Sequence, residues 1–542
     1  MRSRWTLAAA LLITIACNPF PNPGPPPASQ LPSAYHPTRP AHRGGTLVLG
    51  DWEFPQTLDV YAAATDADFR AAALTSSPLW GLDSGLQPYP DLVREVPTLE
   101  NGDVKVAADG SMTVDVKLLP GLRWSDGEPL TAGDLIYTWQ AHAAAFDRIR
   151  SMDRKSDTEV VWSFSAVYAP YLQIGPQFWV EPQHRPHQPD VVSGPFMVSA
   201  QTAGQSITYV ANPHYPDGRR GYFGHAPYLD RIVYRAYPSK TALLAGLRSG
   251  ESDLGFNLGT DDLHDLQGIG GSEPLVFRGL RTEFLNPNHA ANTATGKAPP
   301  WVTPGGDDRR LLDALDRGAD REALVLSALG GYGKPSRALF PSAMRGWSDQ
   351  SGPGPGRDLE GARRLLDDDG WKPGADGVRV KDGQRLEFQL VAACSTLAAN
   401  RELAILKQQW QELGAAVDTG CRARTAFFGT TNPSGGFDMT VYSNAWVPDP
   451  SAWSAFGESG ANWNRCRDPE LDRGLAAGET TLDAGKRQAA YLSLQREWLA
   501  YHCTMTLFEW PEVRQVAATL HNYVPSGGSD VDVWNAADWW LS

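Results

Sequence analysis

Cysteine is the residue type whose positions in this chain say most about chemistry. Cys17 stands alone behind a short apolar leader, where a thiol can be acylated. Cys394, Cys421, Cys466 and Cys503 form an even set suited to disulfides in an oxidising compartment. Four cysteines allow three pairings, and free buried thiols are the alternative. No Cys-x-x-Cys occurs, so metal knuckles are excluded and no metal is expected. His184 and His187 lie in a proline-containing loop without a third ligand nearby. Catalytic signatures are missing too: there is no Gly-x-Ser-x-Gly elbow, no His-Glu-x-x-His and no Gly-x-Gly-x-x-Gly behind a strand. Pro335 follows Gly333 and Lys334, removing the hydroxyl a phosphate loop needs. The acidic run Asp367, Asp368 and Asp369 reads as helix-end solvation rather than as a glycosidase pair. Neither an enzyme nor a cofactor is expected.

Nineteen tryptophans supply the other candidate chemistry, the gripping of a ligand by aromatic faces without covalent steps. Trp410 and Trp498 fall on helical apolar stripes and read as packing residues. Trp52, Trp446 and Trp463 lie in loop-like sequence rich in Gly, Pro and Asn, which makes them candidates for a binding site.

The 542 residues, 42% hydrophobic and 20% charged, are enough for two or three domains with sizeable cores. A net charge of −14 spread without long runs gives no nucleic-acid footprint. Arg2, Arg4 and the apolar residues 7–15 make a secretory leader too short to span a bilayer. With Ala16 before it, Cys17 resembles the lipobox cysteine of bacterial lipoproteins, although Thr14 stands where that pattern usually has Leu. The resemblance implies a signal peptide over residues 1–16 and a lipid on Cys17 that tethers the exported chain to a membrane. A plain signal peptide with an incidental cysteine is the other reading. Residues 18–43 contain nine prolines and read, with Cys17, as an extended linker that buries no apolar surface.

The elements that must position these residues follow from periodicity. Residues 44–50 (GGTLVLG) read as a buried strand, and Met112, Val114, Val116 and Leu118 alternate as another. Thr131 and Asp134 form a capping box, so a helix begins near Ala132. Residues 232–237, 241–247 and 253–257 make a strand, helix and strand, with Gly250 ending the helix. Further helices are expected over residues 310–316, 321–329, 359–368 and 486–501, with Asp320 and Asp358 as N-caps. Leu386, Phe388 and Leu390 alternate as a strand, Leu403, Leu406, Trp410 and Leu413 recur at helical spacing, and residues 415–418 start another strand. The two strands of that βαβ unit are expected as parallel neighbours or near neighbours, which places Cys394 and Cys421 just beyond the same carboxyl end of the sheet and favours Cys394 with Cys421 and Cys466 with Cys503.

The order of the segments resembles the family 5 extracytoplasmic solute-binding proteins of ABC importers, the dipeptide- and oligopeptide-binding type. The likeness is carried by GGTLVLG with TLD (57–59), LRWSDGEPLTAGDLIYTW (122–139), SGPFMV (193–198), NPHYPDG (212–218), PYLDRIVYR (227–235), LRSGESDLGF (247–256) and ADREALV (319–325). It implies an α/β, two-lobed periplasmic-binding-protein-like fold of class II, cluster C type, with a hinge. Mapped here, a discontinuous lobe I takes residues 44–90, 194–285 and 505–542, a subdomain of it is inserted at 91–193, and lobe II takes 286–504. The resemblance further implies a monomer in the periplasm or on the outer face of the cytoplasmic membrane, a peptide-like solute, and ABC permease subunits as partners. Trp446 and Asp449 match the segment whose Asp pairs with a ligand's amino terminus in peptide-binding relatives, but WVPDPSAW (446–453) is shortened, so Asp449 has a structural alternative. Trp52 and Glu53 in lobe I, and Asn462 and Trp463 in lobe II, are placed to face ligand. Some members of the family bind sugars, nickel complexes or haem, and these are the alternative cargoes; a secreted glycan hydrolase is the alternative of another class.

Overall fold

The computed structural model describes residues 28–29, 31–32, 34–186, 190–219, 224–352, 354, 356–394, 397–451, 462–526 and 532–542. The leader, Cys17 and His187 lie outside the described residues. Among the described residues no helix is long and apolar enough to cross a membrane.

In chain order the elements that matter are β1 (Thr46–Asp51), α1 (Asp66–Ala73), β2 (Val104–Val106), β3 (Met112–Lys117), α2 (Ala132–Ala141), β4 (Ser151–Ser156) and β5 (Glu159–Phe164). They are followed by β6 (Phe196–Thr202), β7 (Ser206–Ala211), β8 (Arg231–Ala236), α3 (Lys240–Ser249), β9 (Leu254–Leu258) and β10 (Ser272–Pro287). The rest are α4 (Arg309–Gly318), α5 (Arg321–Leu329), α6 (Leu359–Asp368), β11 (Glu387–Ala393), α7 (Leu397–Gln411), β12 (Ala416–Arg422), β13 (Met439–Ala445), α8 (Ala484–Ala500) and β14 (Met505–Ala517).

One mixed sheet runs through the molecule in the order β12-β11-β13-β10-β14-β9-β1-β8-β7-β6. At one end β12, β11 and β13 are parallel and pack on α4, α5, α6 and α7 around Leu285, Trp371, Phe388, Trp410 and Phe508. At the other end β9, β1 and β8 are parallel and enclose a second core of Leu47, Leu49, Phe196, Tyr209, Phe256 and Trp539. A separate antiparallel sheet, β2-β3-β5-β4, buries Met112, Val114 and Val116 with Trp80, Trp124 and Trp162. Helix α2 packs on it and opens as its sequence requires: Thr131 accepts from Gly133 and donates its own amide to Asp134 at 2.7 Å. The protein is therefore a two-lobed α/β structure with an additional small β-sheet.

Two strands join the halves. β10 pairs with β14 from Ser272 to Arg278 at one end and from Thr282 to Leu285 at the other. Between Arg278 and Thr282, residues 279–281 of β10 face only Trp510 of β14, an irregularity of three residues against one. Pro511 stands beside it and has no amide to donate to the ladder. On its other edge β10 stays in register with β13 from Arg281 to Pro287.

Cys394 is bonded to Cys421 and Cys466 to Cys503, with Cα separations of 5.2 and 5.3 Å. Trp410 and Trp498 are both buried. The expectation of a linker without buried apolar surface does not hold for residues 28–43. Ala28, Leu31 and Tyr35 are buried, because this proline-rich stretch carries apolar anchors that meet complementary surface. Ser29 pairs with Phe277 beside the strand irregularity, its amide donating to Val276 O at 3.0 Å. Farther on, Arg345 donates to the Leu31 carbonyl at 2.5 Å, and Tyr35 donates to Asp538 at 2.8 Å with its ring edge-on to Trp534.

Trp410 tests the core of the first half, since its indole donates to Leu315 O at 2.9 Å and its ring meets Phe388 at 5.4 Å. Trp410→Ala is expected to cost about 3–5 kcal/mol, read as a lowered urea midpoint; a loss below about 1 kcal/mol would contradict this packing.

Candidate functional site

At the strand irregularity the two halves enclose a cavity of about 480 Å³. That is within the range of roughly 300–1,000 Å³ common for small-molecule sites. One wall comes from the half that contains β13: Leu280 and Arg281 of β10, and Trp446, Val447 and Pro448 just beyond β13. The facing wall carries Tyr61, Tyr89, Trp179, Tyr215 and Trp534. The carboxyl ends of parallel strands leave their last carbonyls and the following loops open, which is why clefts of α/β sheets form there.

Each aromatic is fixed by its neighbours. Tyr61 stacks on His142 with ring centres 3.6 Å apart and donates to Trp179 O at 2.9 Å, and Trp179 returns an amide hydrogen bond at 3.0 Å. Burial pushes the Tyr61 hydroxyl well above the ordinary tyrosine value. Trp534 lies 5.4 Å from Tyr89 and donates to Val524 O. Trp446 meets Phe340 edge-on at 4.8 Å and Phe284 at 5.9 Å, and its amide is held by Leu280 O at 2.8 Å, so this ring is tied to the strand irregularity itself.

The charges of the cavity are unevenly matched. Asp91 receives Arg219 Nε at 3.1 Å, yet burial still pushes its carboxyl up. Glu512 lies 3.5 Å from Arg514. Arg514 also holds Asp532, whose carboxyl burial raises to about 6, and Arg70 binds Asp51 at 2.9 Å. Asp51 in turn receives Tyr234 and Asn257, which fixes the end of β1. Two carboxylates, Glu283 on β10 and Glu402 on α7, are buried and interact. Burial pushes Glu283 up to about 8, against the hydrogen bond from Trp510 Nε1 at 2.6 Å and the Arg281 charge. Glu402 is raised well above its ordinary value by burial and then by Glu283.

Of the residues singled out in the sequence, only Trp446 lines this cavity. Asp449 is buried in a two-pronged ion pair with Arg487, at 2.6 and 2.7 Å, so its oxygens are already taken. Trp52 is 39% exposed and donates to Asn257 O, and beside it Glu53, raised first by burial and then by Asp51, is 3.5 Å from Asn257 Nδ2. Trp463 leans on Phe428 and Tyr442, and Asn462 donates to Cys466 O at 2.8 Å. His184 pairs with Asp126, and among the described residues no group of three His, Cys, Asp or Glu is placed to hold a metal. The aromatic wall of Tyr61, Tyr89, Tyr215 and Trp534 was not read from the sequence. Arg281 and Glu283 did leave a signal, as two ionisable residues inside the strand-like run GLRTEFL.

Two outcomes are expected. Arg487→Ala leaves Asp449 buried without its cation and should cost about 3–5 kcal/mol in chemical denaturation, whereas an unchanged midpoint would show the pair to be dispensable. Glu283 keeps its proton in the folded state up to about pH 8 but releases it near 4.5 when unfolded. The folded state thus binds more protons across that window, so stability falls as pH rises through it. Glu283→Gln should flatten the fall between pH 5 and pH 8; an identical slope in the variant would contradict the assignment.

Comparison with known proteins agrees with this architecture. The model of the bacterial extracellular solute-binding proteins, family 5 (middle), matches residues 87–464, more than half of the chain. Protein XP55 of Streptomyces lividans is 27% identical over 448 residues, covering 77% of this chain and 75% of that one. The oligopeptide-binding protein AppA of Bacillus subtilis, solved in complex with a nonapeptide, superposes with a TM-score of 0.69 at 21% identity over 92% of this chain and 99% of its own. NikA of Brucella suis, solved in complex with Fe(III)-EDTA, gives a TM-score of 0.75 at 18% identity over 92% of this chain and 100% of its own. The chain therefore belongs to the family 5 bacterial extracellular solute-binding proteins.

Proposed function

We propose that the protein is the extracytoplasmic receptor of an ABC importer, which captures a peptide-like solute between its two lobes and presents it to the permease. The observation that carries this reading is the cavity at the strand irregularity, lined from both lobes and closed by no covalent machinery. The names of relatives such as the AppA oligopeptide-binding protein support the cargo class. The lobes divide at residues 279–281 and at Trp510, where the ladder between β10 and β14 is interrupted. A ligand that touches Trp446 on one side and the aromatic wall on the other favours the closed form by contacts the open form lacks. Trp446 is the contact we assign among the residues marked in the sequence; Trp52, Glu53, Asn462 and Trp463 are not among the cleft's lining residues, and we read Asp449 as structural. No bond of the solute is made or broken. Cys17 carries a lipid that keeps the receptor near its transporter and raises its local concentration.

Native mass spectrometry of protein purified from its own host, followed by denaturing extraction, tests the cargo. Retained peptides, lost or weakened at least tenfold in Trp446→Ala, are expected. An empty protein that also ignores pooled tripeptides in calorimetry would overturn the peptide reading. Intact-mass analysis of the membrane fraction should show a diacylglycerol adduct that Cys17→Ala lacks, and an unmodified wild-type chain would remove the anchor from the account.

A further inference from the structure

Among the described lining residues of the cleft one charge has no ion-pair partner, and it is positive. Asp91 and Glu512, the carboxylates among its described lining residues, are matched by Arg219 and Arg514. Arg281 lines the opposite wall and makes no ion pair or side-chain hydrogen bond with any described residue. The remainder of the lining is dominated by aromatic and aliphatic side chains. Building on the reading of this cleft as the ligand site, we propose that Arg281 anchors a carboxylate carried by an otherwise apolar ligand.

The chemistry follows from the guanidinium. Its planar fork offers parallel N–H donors that fit both oxygens of a carboxylate, and it stays charged at any physiological pH. A half-desolvated cation without a counter-charge is unfavourable, so an incoming anion gains what the free cleft lacks. Glu283, two residues along the strand, is the internal rival for Arg281, but burial holds its carboxyl up at about 8 against both the Trp510 hydrogen bond and the Arg281 charge, so it stays protonated through the neutral range. The position also matters. Arg281 belongs to the three residues left unpaired with β14, while its other neighbour, Ala445, leads directly into Trp446. An anion held there bears on the segment that joins the lobes, next to the ring that meets the ligand's apolar part. The acids of the described lining, Asp91 and Glu512, already face Arg219 and Arg514, and Asp449, outside that lining, is paired with Arg487, so none of these three is left unpaired to anchor an amine.

The test uses pooled apolar tripeptides as free acids and as their C-terminal amides, bound to the full chain and compared by native mass spectrometry. The wild type should prefer the acids by about 10- to 100-fold, the worth of one charge-assisted hydrogen-bond set. Arg281→Gln should bind acids and amides alike, and Arg281→Lys should recover part of the preference, which a merely structural role would not do. Equal binding of acids and amides by the wild type, or a preference that survives in Arg281→Gln, would overturn the proposal. If neither tripeptide series binds, the peptide reading fails, and 3-phenylpropionate against its amide decides the anchor alone. Acid preference that depends on Arg281 then supports it, and equal or absent retention of the two overturns it.

Discussion

The structure depends on a mismatch in one strand pair. β10 and β14 each pass from one lobe to the other, and where they cross three residues face one. An unbroken antiparallel ladder through this point would lock both lobes into a single rigid sheet, because every paired amide and carbonyl would resist rotation. The interruption removes those bonds locally while leaving the chain connected twice. Pro511 on β14 and Gly279 on β10 fit the same place: proline has no amide to lose, and a side chain at residue 279 would meet Glu512 at 2.8 Å.

The site inherits its geometry from this mismatch. Leu280 and Arg281 lie within the interruption and reach the cavity because they are released from pairing with β14. Leu280 also sends its carbonyl to the amide of Trp446, which joins the strand to the loop beyond β13. The opposite wall is held differently, by buried ion pairs that start at Asp51 and Arg70 and run through Asp532 and Arg514 to Glu512. One wall is therefore tied to the place where the lobes join, and the other to the rigid interior of its lobe. Ser29, Leu31 and Tyr35 add further contacts, since Ser29 pairs beside the mismatch at Phe277, Leu31 accepts from Arg345 and Tyr35 meets Trp534.

Much of the local structure was legible in the sequence, and the reasons are local. The alternation of Met112, Val114 and Val116, the capping box at Thr131 and Asp134, and the glycine that ends α3 at a φ of 72° are each settled within one turn or strand. The βαβ order around Cys394 and Cys421 called for parallel strands that are neighbours or near neighbours, and in the structure they are neighbours, with Ala392 opposite Cys421. The long strand β10 was not legible. Its sixteen residues, SEPLVFRGLRTEFLNP, change partner and burial pattern midway, so no single period runs through them. The cavity wall was hidden for a related reason: Tyr61, Tyr89, Tyr215 and Trp534 come from distant parts of the chain and meet only in the fold. Composition misled for the segment 18–43, whose nine prolines outnumber the apolar residues Ala28, Leu31 and Tyr35 that are buried.

The most direct measurement is the separation of the two lobes in solution with and without ligand. Spin labels go at the exposed positions Val106, on the separate small sheet, and Leu326, on α5, which packs on the β12-β11-β13 end of the large sheet. Pulsed electron resonance should give a broad distance distribution in the free protein that narrows to its shorter part when a retained ligand is restored. A distribution that stays the same at demonstrated saturation would mean that the strands do not bend, and the account of capture by closure would be wrong.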